Sequence, residues 1–303
     1  MLEQPFTISG RAAARLGELE RTLGNWEGAL GAPAPPPALQ RQNGLSALFA
    51  TLALSGRSTW LPGDATLEGA REHSLGRDQL ELENARHAYE RVGAWEPFNR
   101  AHLLEAHGLL MHGLSPEAGR FRNKGAQGAV QSLLKQLRPG RELPPIVAAV
   151  LCYRELTALR PFVDGNGRLA RLWLRVMLRR AASVFEHAPI EEVLLQHRSR
   201  FETALAGALQ RAAGDAFLET WLELLLLSLR QLGPQLRGRA ETPDARLAKA
   251  RVGLGKRWFS RKDYLAFFPK LSTASASRDL AAAVTSKAAE ARGERRFTEY
   301  RFR

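Results

Sequence analysis

Residues 160–171 read Arg-Pro-Phe-Val-Asp-Gly-Asn-Gly-Arg-Leu-Ala-Arg, and this run restricts the chain more than any other part of it. It demands a tight turn that opens straight into a helix. Pro161 fixes its own φ, Gly165 and Gly167 admit backbone angles that side-chained residues avoid, and Leu169, Leu172, Trp173 and Val176 follow at helical spacing. Consecutive N–H groups at such a turn converge on one point at the positive end of the helix, which is how a backbone holds a phosphate. Arg168 and Arg171 lie three apart and share a face, so two forked guanidiniums are expected beside the anion. Asp164 offers the hard oxygen that a phosphate-bound Mg²⁺ prefers. Arg175 and Arg179 continue the basic stripe one and two turns further on, at ~5 Å per turn, and are expected as solvated surface.

The run resembles the signature of the Fic (Fido) family of protein adenylyltransferases, His-Pro-Phe-x-(Asp/Glu)-Gly-Asn-Gly-Arg-x-x-Arg. Every specified position matches except the first, where this chain has Arg160. The resemblance implies a Mg²⁺ ligand at Asp164, a cradle for the ATP phosphates at Gly165, Asn166, Gly167 and Arg168, and a γ-phosphate contact at Arg171. It also implies that the proton of a target hydroxyl would be taken at position 160. A guanidinium stays protonated at physiological pH and cannot do this, and general-base help is worth ~10²–10⁴ in rate. A site that binds nucleotide and turns it over poorly is therefore expected. The Gly-Arg that follows Asn166 sets the chain apart from the kinase branch of the family, which has Lys-Arg.

Two further segments acquire meaning from the same resemblance. Many members carry Ser/Thr-x-x-x-Glu-Gly/Asn on a helix before the core, whose Glu pairs with the second motif Arg and blocks productive ATP binding. The counterpart here is Thr51-Leu-Ala-Leu-Ser55-Gly56, with Ser55 in place of the Glu. Between a helix expected over about 97–111 and the motif, the basic, glycine-spaced stretch 119–128, with Arg120, Phe121 and Arg122, looks like the family's flap. That flap is a short β-hairpin which aligns a target segment over the nucleotide.

The net charge of +13 and pI near 10.7 call for an acidic partner, and the placement of the charge says more than its size. Residues 237–303 hold 17 Lys+Arg against 7 Asp+Glu, so ten of the thirteen excess charges lie there. Ser260-Arg-Lys-Asp reads as a capping-box variant opening a helix, Thr273-Ala-Ser-Ala-Ser-Arg-Asp-Leu as a second helix, and 291–302 as a Gly-tipped hairpin. This order resembles a winged helix-turn-helix. Duplex DNA is then the expected partner, met by Thr273, Ser275, Ser277 and Arg278 on the second helix and by Arg292, Arg295 and Arg296 on the wing. The stretch Lys287-Ala-Ala-Glu departs from the pattern, being too polar for the usual approach to the first wing strand.

The rest is consistent with a mainly α protein. Helices are expected over 11–23, 38–54, 79–92 and 97–111, in the almost wholly apolar run 144–159, and through 189–232 up to Gly233-Pro234. The implied organisation is an N-terminal helical segment with a Pro-rich linker (1–37), a Fic-type helical core (38–232), a linker (233–245) and a winged-helix domain (246–303). Cys152 is the single cysteine and sits in an apolar run, as a buried small hydrophobe would. The N-terminal residues lack a basic region followed by an apolar one, and Leu224 to Leu227 is too short to span a bilayer, so a cytoplasmic protein is expected. His102, His107 and His112 are spaced by five, ~140° apart from one to the next on a helix, and cannot share a metal. The resulting expectation is a nucleotide-binding, degenerate adenylyltransferase coupled to DNA, in the manner of a transcriptional regulator, able to form a homodimer. The alternative is an active AMP transferase that modifies a protein hydroxyl.

Overall fold

The computed structural model describes residues 8–30, 37–56, 76–138, 143–210, 214–237, 243–268, 271–293 and 298–303. The chain divides into two compact units, Met1–Gln235 and Leu236–Arg303. Among the described residues the first unit is helical throughout and the second holds every strand.

In the first unit, α1 (Gly10–Leu30) and α2 (Pro37–Leu54) precede α3 (Arg77–Glu90), α4 (Arg100–Leu110) and α5 (Lys124–Gln136). The centre is formed by α6 (Pro145–Leu159) and α7 (Asn166–Ala181), followed by α8 (Ile190–Gln196), α9 (Arg198–Leu209) and α10 (Gly214–Arg237). Helix α6 is apolar on nearly every face, and Ile146 through Tyr153 are all buried, as a central helix requires. Pro145 opens it, where a missing N–H costs no helical bond. Helix α7 packs along it, while α2 packs on α3, α7 and α8. Leu19, Trp173, Phe185, Phe217 and Trp221 are fully buried in this unit. No described helix is long and apolar enough to cross a membrane.

Three expectations are corrected here. Helix α1 runs to Leu30 rather than ending at 23; the Gly24-Asn25 pair lowers helix propensity but does not forbid a helix. Helix α10 continues past Gly233-Pro234 to Arg237, so a Gly-Pro pair in a last turn removes one N–H without ending the helix. The expected hairpin over 119–128 is absent. Asn123 caps α5 by accepting the Ala126 N–H at 2.8 Å, and Ala126, Val130, Leu133 and Leu134 are buried at helical spacing. That periodicity outweighs the glycines that suggested a turn. The expected Pro-rich linker at 31–36 and part of the expected linker, 238–242, lie outside the described residues.

The second unit runs α11 (Pro243–Leu254), β1 (Phe259–Ser260), α12 (Arg261–Phe267), α13 (Thr273–Thr285), β2 (Ala289–Arg292) and β3 (Glu299–Phe302). The sheet is antiparallel in the order β1-β3-β2, with Phe259 opposite Tyr300 and Ala291 opposite Tyr300 on the other side. Ala250, Leu254, Phe259, Tyr264, Leu280 and Phe302 lie in its own core. Ser260 and Asp263 form the capping box at α12 in full, and Ser272 caps α13. Buried Asp279 on α13 accepts both Arg246 of α11, at 2.6 and 2.7 Å, and the Tyr264 hydroxyl at 3.1 Å, tying three helices together. The polar stretch after α13 works because Lys287 takes the left-handed conformation (φ 60°) that a glycine usually supplies at a helix end.

Candidate functional site

Helix α6 ends at Arg160, which caps it in the left-handed region (φ 43°, ψ 62°) while its N–H donates to Leu156 O at 3.2 Å. An L-residue with a side chain is strained there. The chain then folds back through Pro161–Gly165. Asn166 closes that turn on itself, its Oδ1 accepting the Phe162 N–H at 2.9 Å and its Nδ2 donating to Phe162 O at 2.8 Å. Gly165 is the N-cap of α7 at φ 76°, and no side chain caps the helix. The first amides of α7 thus begin beside Asp164, at the positive end of the helix dipole.

The side chains do not all stand where the sequence reading puts them. Asp164 is exposed (57%), and its Oδ1 accepts the Gly165 N–H at 2.6 Å. Its Oδ2 lies 3.7 Å from Arg168 and 4.0 Å from Arg77. Arg168 is buried and also lies 3.5 Å from Glu81, a carboxylate only 2% exposed on α3 that the sequence reading missed. Arg171 does not fan out beside the loop. It is buried against α2, with Nε donating to Thr51 Oγ1 at 2.8 Å and Nη2 to Thr51 O at 2.9 Å and Ser55 Oγ at 2.6 Å. Its Nη1 remains next to Gly167, within 3.5 Å of where a Cβ would stand. Thr51 from α2 and Ser55 from the turn that follows it are thus brought together on the second motif Arg, and Gly56 (φ 84°) comes next in that turn.

Arg175 overturns its expectation. It is buried and gives Nε and Nη2 to Glu191, Nη1 to the carbonyls of Phe185 and Glu186, and Nη2 to Ala188 O. Tyr89 donates to the same Glu191 at 2.9 Å. Burial alone would lower the Arg175 pKa, but the Glu191 charge and hydrogen bonds outweigh it and the net shift is upward. The residues that follow α7 fold back over its basic face, an event no helical wheel of α7 reveals. Arg179 is half-exposed and pairs with Glu186 at 2.7 Å.

The 119–122 segment lies on the motif loop despite forming no hairpin. Phe121 stacks on Phe162 at 5.2 Å, and Arg122 donates its backbone N–H to Pro161 O at 3.0 Å and a guanidinium N–H to Leu159 O at 3.4 Å. Arg120 is exposed. His107 of α4, set aside in the sequence as one of three unrelated histidines, is buried beneath both segments. Burial lowers its pKa, with Arg168 adding to the effect against the opposing influence of Asp164.

In the second unit, Arg278 and Arg292 are exposed, the latter paired with Glu299 at 2.7 Å and lying over the Trp258 ring at 4.1 Å. Ser277 accepts from Arg261 at 3.0 Å and donates to Thr273 O at 2.9 Å, while Ser275 accepts from Ser272 and Arg278. Arg295 and Arg296 lie outside the described residues. Among the described residues no group of three or more His, Cys, Asp or Glu gathers as a metal cluster.

The motif segment is thus a helix that opens on an uncapped glycine turn beside two buried arginines. Residues 97–178 match the sequence model of the Fic/DOC family, so the chain contains a Fic/Fido-family domain. The fold is shared with solved structures. A Fic family protein from Desulfovibrio desulfuricans G20 superposes with a TM-score of 0.70 at 24% identity, over 100% of this chain and 98% of that one. Fic-1 from C. elegans gives 0.59 at 16% identity over 75% and 72%. A Fic domain containing signaling protein from Bacteroides thetaiotaomicron VPI-5482 gives 0.51 at 19% identity, over 74% of this chain and 99% of that one.

Proposed function

We propose that the 160–171 loop binds ATP or a related nucleotide with Mg²⁺, that AMP transfer from it is absent or very slow, and that residues 246–303 bind duplex DNA. The protein would then act as a nucleotide-responsive transcriptional regulator. The observation that carries the nucleotide reading is the uncapped start of α7 at Gly165, flanked by Arg168 and by the Nη1 edge of Arg171. Backbone amides and charge-assisted donors of this kind are complementary to a polyphosphate, at roughly 1.5–3 kcal/mol for each charged bond. Asp164 would offer Mg²⁺ one exposed carboxylate and leave the remaining positions to phosphate and water.

Two features argue against transfer. Arg160 cannot accept a proton, and α5 begins two residues after Arg122, so the described residues of the first unit present no strand edge on which a target segment could align. The DNA reading rests on the order helix, strand, helix, helix, strand, strand in the second unit. This is the order of a winged helix-turn-helix with α13 as the recognition helix, carrying exposed Arg278 and followed by Arg292 on β2.

Calorimetric titration of the full chain with Mg·ATP tests the core of this reading. Wild type should bind and Arg171→Ala should bind markedly more weakly, with circular dichroism confirming that the variant is folded. Absence of binding by wild type at millimolar ligand would show that the loop is not a nucleotide site.

A further inference from the structure

His107 sits where three parts of the site meet. Its Nδ1 accepts the Gly119 N–H at 2.9 Å, its Nε2 lies 3.0 Å from Asp164 O, and its ring stacks on Phe162 at 3.7 Å. An amide N–H can only donate, so Nδ1 carries a lone pair there. The single proton of the neutral ring is then on Nε2, from which it donates to the Asp164 carbonyl.

The second bond has a geometric consequence. A trans peptide points its C=O and its N–H in opposite directions. Drawing the Asp164 carbonyl onto His107 therefore turns the Gly165 N–H away from the protein interior, to the side where the Asp164 carboxylate now accepts it at 2.6 Å. Met111, one turn on from His107 in sequence, fills the remaining space: a Cβ on Gly165 would meet its Sδ at 2.5 Å and His107 Nε2 at 3.3 Å. These two side chains thus pack directly against the Gly165 Cα.

We propose that His107 is a positioning residue of the nucleotide site, which orients the Asp164–Gly165 peptide so that its N–H faces the phosphate. The function assigned to that amide rests on the nucleotide reading above; the orientation itself does not. The bond to Gly119 is a separate duty that holds the 119–122 turn in place.

Two substitutions separate the duties. In His107→Gln the side-chain NH₂ reaches the position of Nε2 and still donates to Asp164. In His107→Asn the side-chain oxygen stands near Nδ1 and still accepts from Gly119, while the bond to Asp164 is lost. The full-length wild type and both variants are titrated calorimetrically with Mg·ATP, and amide exchange at Gly165 is followed in the same proteins without nucleotide. His107→Gln should bind within about threefold of wild type, and His107→Asn about tenfold more weakly, the effect of one lost hydrogen bond. Exchange at Gly165 should differ from wild type in His107→Asn and match it in His107→Gln. A residue that merely fills space would leave the two variants alike.

If both variants bind nucleotide equally and exchange Gly165 at the same rate, the positioning role is wrong and the nucleotide reading stands. If no form takes up nucleotide while exchange separates the variants as expected, the nucleotide reading fails and the orientation of the Gly165 amide by His107 stands. Failure on both measurements overturns both.

Discussion

Placing a carboxylate at position 55 should close the site that Arg171 serves. Ser55 Oγ, in the turn just past the end of α2, already lies 2.6 Å from Arg171 Nη2, so the longer side chain in Ser55→Glu reaches the same guanidinium without moving the backbone. The new charge would stand about 7 Å from a phosphate held at Gly167, and at an effective dielectric constant of about 20 the repulsion is roughly 2–2.5 kcal/mol per unit of phosphate charge. Occupying the guanidinium removes a comparable amount, about 1.5–3 kcal/mol for one charge-assisted bond, and the two effects overlap rather than add. A loss of roughly 2–3 kcal/mol corresponds to Mg·ATP binding about 30–150-fold more weakly. The same substitution gives a buried arginine a carboxylate partner, so thermal stability should rise while affinity falls. Ser55→Gln, similar in size and neutral, should leave affinity within about threefold of wild type, since a neutral hydrogen bond contributes only ~0.5–1.5 kcal/mol. Equal affinities for Ser55→Glu and Ser55→Gln in a calorimetric titration would refute the argument, because the charge at Arg171 would then be irrelevant to the ligand.

Other outcomes follow from the same geometry. Incubated with labelled ATP, wild type should remain unlabelled, whereas Arg160→His should gain self-modification by at least ~10²-fold; robust labelling of wild type would overturn the weak-transfer reading. Fluorescence anisotropy with duplex DNA should give a log–log salt slope near −4.5 for about five neutralised phosphates, flattened by about 0.9 in Arg278→Ala. An unchanged slope would remove Arg278 from the interface. Arg175→Met should destabilise the first unit by about 3–5 kcal/mol in urea unfolding, since it leaves Glu191 as a buried charge without its cation. A loss under about 1 kcal/mol would place the pair in effective contact with water. Lys287→Gly should stabilise the second unit by up to about 1 kcal/mol by relieving left-handed strain, read as slower amide exchange in β2 and β3.

Features encoded by local pattern were legible in the sequence. The apolar run of α6, the turn into α7 and the Ser260–Asp263 capping box each depend on residues within a few positions of one another, and the structure has all three. What escaped was decided by chain packing from a distance. Arg175 looks like surface on a wheel of α7 until Glu191, sixteen residues later, folds over it. Glu81 reaches Arg168 from another helix, and His107 meets Asp164 across 57 residues. One signal for His107 was available, since its spacing from Leu103 and Leu110 places it on the buried face of α4. The segment after Arg122 went the other way: its glycines and cations suggested a hairpin, while the spacing of Ala126, Val130 and Leu133 already favoured a helix.

The present engagement of Asp164 bears on the order in which ligands would arrive. Its carboxylate covers the Gly165 amide and faces two arginine side chains, so a lone hydrated cation would gain one oxygen ligand while uncovering an amide and drawing Asp164 away from Arg168 and Arg77, which would share Glu81 alone among the carboxylates named at the site. A polyphosphate arriving alone would meet that carboxylate as a like charge. Arriving together, the metal would be held by Asp164 and the phosphate oxygens would meet the donors that Asp164 releases, so each ligand would remove the cost that the other incurs. Under the nucleotide reading, Mg²⁺ and ATP are thermodynamically linked through one side chain, and the metal alone should bind weakly even at concentrations that saturate the pair.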